Sequence, residues 1–280
     1  MIPKSLSLQP HYEAASAWWE HVPLAHWLIE TLKPAIFVEL GSHFGVSFFS
    51  FCEASEKYSP SSFLYAIDSW EGDPQAGIYG NNVFEAVSQY HSEHHKHHSR
   101  LIRSSFTAAA DHFSDASIDL LHIDGWHTYD AVSQDFQTWL PKMKHGGTIL
   151  FHDWNVREGD FGVWKFWDEL QRDTRFQCCS MANGHGLGIA TLAENTPNWH
   201  QELQFLRPAL AAKGALLDRC NHLHEKLTTM QQHAHNLEQQ FDQLTAQYKS
   251  LEAERDKLVQ LWNRSLSQRC KRIIFTALGR

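Results

Sequence analysis

Two hydrophobic patterns alternate through the first 195 residues of the chain. Short apolar runs have the length and the β-branched or aromatic content of strands buried on both faces. The segments between the runs repeat apolar residues at helical spacing. The runs are Ile36–Val38, Phe63–Ile67, Leu101–Ile102, Ile118–Ile123 and Thr148–Phe151. This alternation predicts an α/β fold with a doubly wound, mostly parallel sheet.

The two ends of this region depart from the alternation. Residues 12–33 predict two helical segments hinged near Pro23, and Pro34 ends the second of them. Phe176–Ser180 and Leu187–Leu192 have the pattern of two strands joined by a glycine-containing turn. The sheet is therefore expected to end in a C-terminal β-hairpin.

A heptad repeat begins beyond Leu216. Its first position holds Leu223, Met230, Leu237, Leu244, Leu251 and Leu258. Its second apolar position, four residues later, holds Leu227, Ala234, Phe241, Tyr248 and Trp262, with Arg255 as the polar exception. Six repeats without glycine or proline predict an α-helical coiled coil, about 70 Å long at about 1.5 Å per residue. Such a coiled coil predicts a homo-oligomer, and the alternative is a long helix folded back on the domain.

These patterns divide the chain into four predicted segments. They are a domain over residues 1–195, a linker over 196–215, a coiled coil over 216–265 and a tail over 266–280. The tail mixes apolar and basic residues, a pattern typical of contact with an anionic membrane surface or with a protein partner.

Composition and charge limit the classes of function. Apolar residues make up 42% of the 280-residue chain, which indicates a substantial core. Residues 1–200 hold 24 acidic residues against 12 Lys and Arg, and this acidic balance argues against nucleic acid as the main partner. The five cysteines show no metal-binding spacing, and neither a signal peptide nor a transmembrane run is evident. We therefore expect a cytoplasmic protein. Its tail is expected to contact the inner membrane peripherally or a partner, and the alternative is a linker truncated from a longer multidomain relative.

A glycine loop follows the first predicted strand. The strand ends at Glu39, and Gly41 and Gly45 bracket the turn into the next helix. Glycines let a ligand approach the backbone, and the N-terminus of a helix offers free N–H groups. Alone, the stretch is equally compatible with an ordinary β-to-α turn.

Acids and histidines follow three further strands. Asp68 ends the second strand, where an acid commonly accepts hydrogen bonds from a ribose, although a turn cap is the alternative. Asp124 and His127 follow the fourth strand, and His152 and Asp153 follow the fifth. Because the carboxyl ends of parallel strands share one edge of a sheet, these four side chains are expected to converge. Carboxylates suit Mg²⁺, and a neutral histidine can act as a base.

A histidine cluster precedes the third strand. It contains His91, His94, His95, His97 and His98. Such a cluster could bind a metal, but no cysteine or carboxylate geometry organises it, and we interpret it as a solvated helix face.

The motifs together are more specific than any one of them. They read VELGSHFGVS, YAIDSW, LLHIDGWHTYDAV, GGTILFHDW and GHGLG, and they cover roughly residues 12–192. In this combination the chain resembles class I S-adenosylmethionine-dependent methyltransferases, specifically the branch found in bacterial glycan and secondary-metabolite clusters. The resemblance implies a Rossmann-like seven-stranded sheet that ends in a β-hairpin, S-adenosylmethionine as cofactor, and methyl transfer to an acceptor oxygen.

The resemblance also implies roles for individual residues. The cofactor is expected to bind Glu39, Gly41, Ser42, Gly45, Asp68, Ser105 and Asp124. His127 is the expected base, with Asp124 as its catalytic partner. Some relatives bind a divalent cation, and here Asp124, His152 and Asp153 are the corresponding ligands, with Mg²⁺ as the expected ion. His152 stands where several relatives carry an acid.

The predicted function is an S-adenosylmethionine-dependent O-methyltransferase that acts on a hydroxyl of a sugar or glycan precursor. Trp70, Trp126 and Trp154 follow strand ends and could stack on a sugar or pack around the cleft. One alternative is a non-catalytic scaffold of the same fold that recruits glycan-assembly enzymes through its coiled coil. Another is a nicotinamide oxidoreductase, against which the absence of GxGxxG argues.

Overall fold

A computed structural model describes residues 2–73, 75, 77–193 and 195–277. The strands are β1 (Ile36–Leu40), β2 (Phe63–Asp68), β3 (Gly72–Asp73), β4 (Gly77–Ile78), β5 (Ser99–Arg103), β6 (Ile118–Ile123), β7 (Met143–His152), β8 (Phe176–Met181) and β9 (Leu187–Leu192). The α-helices are α1 (Val22–Leu32), α2 (Val46–Tyr58), α3 (Asn81–His94), α4 (Phe106–Ala110), α5 (Tyr129–Trp139), α6 (Val163–Leu170) and α7 (Asn198–Ala277).

Seven strands form one sheet in the order β5-β2-β1-β6-β7-β9-β8, and β3 and β4 pair separately. The first five strands of this sheet are parallel, whereas β9 runs antiparallel to β7 and β8. The predicted doubly wound sheet and its closing hairpin are therefore confirmed. The strand order reverses between β1 and β6, which is where open α/β sheets bind ligands.

Both faces of the sheet are covered by apolar packing. Successive residues of a strand point to opposite faces, so Phe37 packs with α1 and α2, whereas Val38 packs with the opposite core. That second core contains Phe136 and Trp139 of α5 and Trp167 of α6. Burial on both sides explains why the strands are continuous apolar runs rather than alternating ones.

The N-terminal prediction of two helices hinged at Pro23 is wrong. Residues 8–16 have no regular structure, a 3₁₀ turn covers Trp19–His21, and α1 begins at Val22. Pro23 lies in the first turn of α1, a position where its missing N–H costs no hydrogen bond.

The prediction of a solvated histidine face is wrong for three of the five histidines. His91, His95 and His98 are buried, because α3 and the turn after it pack against α2. His94 and His97 are exposed.

Helix α7 is continuous, and its two parts differ in burial. The segment predicted as a linker is helical from Asn198, and Leu203, Leu206 and Leu210 are buried in the core. The chain divides into two compact units after Asn221. From His222 onward α7 is almost entirely exposed, and the last three residues of the predicted tail, 278–280, lie outside the described residues. Within the described part of the chain, none of the helices combines the length and apolar character that a membrane crossing requires.

The loop after β1 is held between its two neighbouring strands. Gly41 N–H donates to the carbonyl of Ile67 at 2.9 Å, and Asp124 N–H donates to the carbonyl of Leu40 at 2.8 Å. Gly41 has φ +87°, and a Cβ there would lie 2.0 Å from the carbonyl oxygen of Asp124. Only glycine fits at this position.

We expect Gly41→Ala to lower the free energy of unfolding more than Gly146→Ala. Gly146 has a similar φ of +82°, but no described atom lies within 4 Å of its hypothetical Cβ. The control should cost about 1 kcal/mol for its left-handed backbone, and Gly41→Ala should cost at least about 2 kcal/mol more because the backbone must also move. Urea unfolding of both variants measures the difference. Equal losses would contradict the steric argument.

Candidate functional site

A cleft opens at the carboxyl ends of the parallel strands. Its volume is about 650 Å³, and residues from the ends of β2, β6 and β7 and from the loop after β1 line it. Its lining includes Gly41, Ser42, Phe44, Asp68, Gln75, Ser105, Phe106, Asp124, Trp126, His127, His152, Asp153, Phe161 and His185. The strand-end acids and histidines therefore converge as predicted.

Asp68 holds the glycine loop in place. Its Oδ2 accepts hydrogen bonds from the backbone N–H groups of Ser42 at 2.9 Å and His43 at 3.0 Å, and its Oδ1 accepts from Trp70 N–H at 2.7 Å. His43 and Trp70 have positive φ values of 47° and 52°, which non-glycine residues adopt at a cost. A carboxylate has about four acceptor positions, so Asp68 retains capacity for one further donor on the side of the cleft.

Glu39 does not line the cleft. It is fully buried, where its Oε1 accepts from Ser42 Oγ at 2.7 Å and its Oε2 lies 2.9 Å from His122 Nδ1. Gly45 lies behind the loop at the start of α2 and also does not line the cleft. Of the seven predicted cofactor-binding residues, the structure brings the other five to the cleft, and these two support the loop from behind.

Two aspartates and two histidines lie in mutual contact in the cleft. His127 Nε2 lies 2.8 Å from Asp153 Oδ2 and 3.4 Å from Asp124 Oδ1. His152 Nδ1 lies 3.1 Å from Asp124 Oδ1 and 3.3 Å from Asp153 Oδ2. Asp153 has a positive φ of 61°, so its backbone adopts a costly conformation at the centre of the site.

His127 donates from both ring nitrogens. Gln75 Oε1 accepts from the backbone N–H of His127 at 3.0 Å and lies 3.0 Å from Nδ1, so Nδ1 must also donate to it. Because Nε2 faces carboxylates, the ring fits the site as an imidazolium. Burial alone lowers the pKa of His127, but hydrogen bonds to Asp124 and Asp153 outweigh it and raise this pKa to about 9.

Asp124 and Asp153 also favour the protonated form of His152. Burial lowers its pKa, but the charges of Asp124 and Asp153 outweigh burial and raise the pKa to about 10. The reciprocal effect holds the pKa values of both aspartates well below their usual range, against the opposing effect of burial. The two aspartates and the two histidines therefore favour one another's charged forms.

The donor set gives no support to the expected magnesium site. One ligand atom each from Asp124, His127 and Asp153 lie within 4.8 Å of one another, which is a different triplet from Asp124, His152 and Asp153. Mg²⁺ prefers an octahedron of oxygen ligands, whereas imidazole suits later transition metals. Any cation at this triplet would also have to displace the proton on His127 that now bridges the carboxylates.

Sequence reasoning missed three contributors to the cleft. His185 Nδ1 lies 2.9 Å from Asp153 Oδ1, and the ring of Phe161 stacks on His127 at 5.0 Å. The hairpin was the available signal for His185, because Leu187 pairs with His152 and brings the preceding turn beside the end of β7. Gln75 lies in an irregular segment, where no pattern indicates its contact with His127.

The three strand-end tryptophans have different environments. Trp126 is 45% exposed and lines the cleft. Trp70 is fully buried, and its Nε1 donates to the carbonyl of His43 at 3.0 Å. Trp154 is partly buried and donates to the carbonyl of Met181 at 3.2 Å. Only Trp126 of the three is available to a ligand.

Comparison with known proteins gives this geometry a context. Residues 38–154 match the family model Methyltransf_24, described as a methyltransferase domain. The match covers less than half of the chain. It runs from within β1 to just beyond β7 and includes Asp68, Asp124, His127 and Asp153.

The uncharacterized protein y4gI of Sinorhizobium fredii is 44% identical over 163 residues. This alignment covers 58% of the present chain but only 18% of the relative, so the chain spans less than a fifth of the curated protein that it matches.

Solved structures agree on the fold. A candidate caffeoyl-CoA O-methyltransferase from Staphylococcus aureus superimposes with a TM-score of 0.50 at 16% identity, over 61% of this chain and 82% of that one. A protein from Corynebacterium glutamicum gives a TM-score of 0.50 at 13% identity, over 66% and 85% of the two chains. The fold is that of a Rossmann-like methyltransferase. At these identities the likeness concerns the fold alone.

We expect the ring of His127 to titrate near pH 9, far above the ordinary value for histidine, because its proton bridges two carboxylates. Asp153→Asn should lower this pKa by removing the nearer charge, whereas Asp115→Asn, at an exposed aspartate outside the cleft, should leave it unchanged. Histidine-ring NMR titration measures both, with His127→Gln identifying the resonance. Titration at or below pH 6.5 in the wild-type chain would contradict the imidazolium assignment.

Proposed function

We propose that this chain is an S-adenosylmethionine-dependent O-methyltransferase whose acceptor is a hydroxyl of a sugar or glycan precursor. The observation that carries the proposal is that one cleft joins the glycine loop, Asp68 and the Asp124–His127–Asp153 group. The match to a methyltransferase-domain family model and the likeness of fold support it.

Residues that line the cleft suit an adenosine-containing cofactor. Ser42, Asp68 and Ser105 supply hydroxyl and carboxylate groups, and Phe44 and Phe106 supply apolar rings. This mixture matches a ligand that has ribose hydroxyls beside a flat aromatic base. When bound, S-adenosylmethionine supplies an electrophilic methyl group on a sulfonium. The chain contributes the acceptor capacity of Asp68 and the close approach that the glycine loop permits.

His127 is the residue suited to accept the proton of the acceptor hydroxyl. Its ring lines the cleft with Nε2 within reach of two carboxylates, while Gln75 fixes the opposite nitrogen and Phe161 fixes the plane of the ring. The ring must first lose its own proton, and its raised pKa means that the neutral form becomes abundant only near pH 9. Turnover is therefore expected to increase with pH up to this region.

An aromatic surface favours a sugar as the acceptor. Trp126 is 45% exposed, and Phe161 also lines the cleft. Aromatic faces pack against the C–H faces of sugars, while the polar edge of such a pocket directs the hydroxyls.

Calorimetry with S-adenosylmethionine tests the cofactor. We expect wild type to bind, and Asp68→Ala to weaken binding at least tenfold because it removes both the ribose acceptor and the support of the loop. The matched control is Asp115→Ala, at an exposed aspartate that pairs with Lys142 away from the cleft. No binding by wild type, or full binding by Asp68→Ala, would overturn the proposed cofactor site.

Release of S-adenosylhomocysteine with a panel of sugar acceptors tests catalysis in the same samples. His127→Gln should lower kcat by about 10²- to 10⁴-fold, the usual contribution of a general base, and should leave cofactor binding within about twofold. His112→Gln, at an exposed histidine, is the control. Cofactor binding without turnover on any acceptor would favour the scaffold alternative.

We also propose that the chain self-associates through α7. From His222 the helix carries its heptad residues exposed, with Leu237 63% and Phe241 69% accessible. A seven-residue apolar repeat matches a second, identical helix better than it matches a flat surface, because it keeps one seam in register along a left-handed supercoil.

Sedimentation equilibrium of the full chain tests this association. Leu237→Glu combined with Leu244→Glu should convert the oligomer to monomer by placing charges in the apolar seam. Gln239→Glu combined with Gln243→Glu, outside the apolar heptad positions, adds the same two charges and should not change the mass. A monomeric wild type would sink the proposal. The partner of the basic tail stays a prediction.

A further inference from the structure

A second cluster of potential metal ligands lies outside the cleft. Cys52 on α2 and His95 and His98 in the turn after α3 each present one ligand atom, and these three atoms lie within 4.8 Å of one another. All three residues are buried: Cys52 is fully inaccessible, and His95 and His98 are 3% and 8% exposed. The cysteine is not bonded to another cysteine.

Each histidine of this cluster has one occupied and one free nitrogen. Glu56 Oε1 lies 2.9 Å from His95 Nδ1 and 3.6 Å from His98 Nδ1, so one carboxylate faces both rings. His97 Nε2 also lies 3.2 Å from His98 Nδ1. The Nε2 atoms of His95 and His98 are buried and have no hydrogen-bond partner among the described residues.

This arrangement lowers the stability of the fold unless a ligand binds the two nitrogens that lack partners. A buried polar atom without a partner costs roughly 1–3 kcal/mol, and here the two histidines that carry such atoms belong to one cluster with a thiol. Protein metal sites commonly combine a ligating histidine nitrogen with a carboxylate on the other nitrogen, which fixes the tautomer and the orientation of the ring. Glu56 has this relation to both imidazoles.

We propose that Cys52, His95 and His98 bind a Zn²⁺ ion, with Glu56 as the carboxylate that orients the two imidazoles. A thiolate and two imidazoles are typical ligands for zinc and leave one tetrahedral position open. Burial raises the pKa of the Cys52 thiol, so binding of the cation releases the thiol proton. The ion would join α2 to the turn between α3 and β5.

The position of the ligands gives the ion a structural role. Cys52 and Glu56 are four residues apart on α2, so they lie on one face of the helix. The ring of His95 already stacks on Phe49 of the same helix, with centroids 5.5 Å apart. The site is independent of the proposed methyl transfer, since none of its ligands lines the cleft.

Titration of the metal-free full chain with Co²⁺ tests the site. We expect a thiolate-to-cobalt charge-transfer band that saturates near one equivalent and is abolished by Zn²⁺, which binds such ligands more tightly. The band should disappear in Cys52→Ser. It should persist in Cys220→Ser, at an exposed cysteine of α7, and in Asp153→Asn, at the cleft.

Two further variants keep the test informative if Cys52→Ser fails to fold. Glu56→Gln, at a partly exposed side chain, should weaken Co²⁺ binding by about 10- to 100-fold through loss of the orienting carboxylate. His98→Gln should weaken it at least as much. The proposal is overturned if the wild type shows no band or if the band survives Cys52→Ser. It is also overturned if Glu56→Gln and His98→Gln both bind Co²⁺ as tightly as wild type.

Discussion

The backbone of Gly41 lies against the carbonyl group of Asp124, and the rest of the cleft depends on this contact. No side chain fits between the two chain segments, since a Cβ on Gly41 would lie 2.0 Å from the carbonyl oxygen. The contact brings the ends of β1 and β6 together at the point where the strand order reverses. Asp68 then holds the next two N–H groups of the loop from the other side. The glycine loop is thus clamped by both neighbours of β1.

Charge balance governs the chemistry of the cleft. Two carboxylates buried beside each other would repel one another, and each would favour its neutral form if it stood alone. Here His127 and His152 reverse that tendency, because each imidazolium lies within hydrogen-bond distance of a carboxylate. Behind them, Glu39 and His122 form a second, fully buried acid–histidine pair on adjacent strands. The site is consequently a layered set of acid–histidine contacts, of which the His127 and His152 layer lines the cleft.

Much of this architecture could be predicted from the sequence, because it follows from the spacing of apolar and polar residues along each short segment of the chain. The buried strands are apolar runs, and Asp68, Asp124 and Asp153 are found by their position at strand ends. What could not be predicted depends on which elements become neighbours. Glu39 faces His122 only because β1 and β6 are adjacent in register.

The histidine cluster before β5 was misinterpreted for the same reason, because its burial depends on which elements become neighbours. Cys52 and His95 lie 43 positions apart, and only the packing of α2 against the turn after α3 brings them together. Two helices were predicted around Pro23 because apolar spacing alone does not distinguish an interior proline from one in a first turn.

The positive φ of Asp153 has a consequence for how this chain tolerates change. A glycine would adopt the same backbone at lower cost, by roughly 1 kcal/mol, yet it would remove the carboxylate that holds three histidines. Relaxing the backbone and keeping the charge are therefore incompatible at this residue. Loss of the carboxylate would leave His127 and His152 without one of their two acidic partners, and removing one member of a buried charge pair costs about 3–5 kcal/mol. The strained backbone at position 153 is therefore stabilised by the contacts of its own side chain.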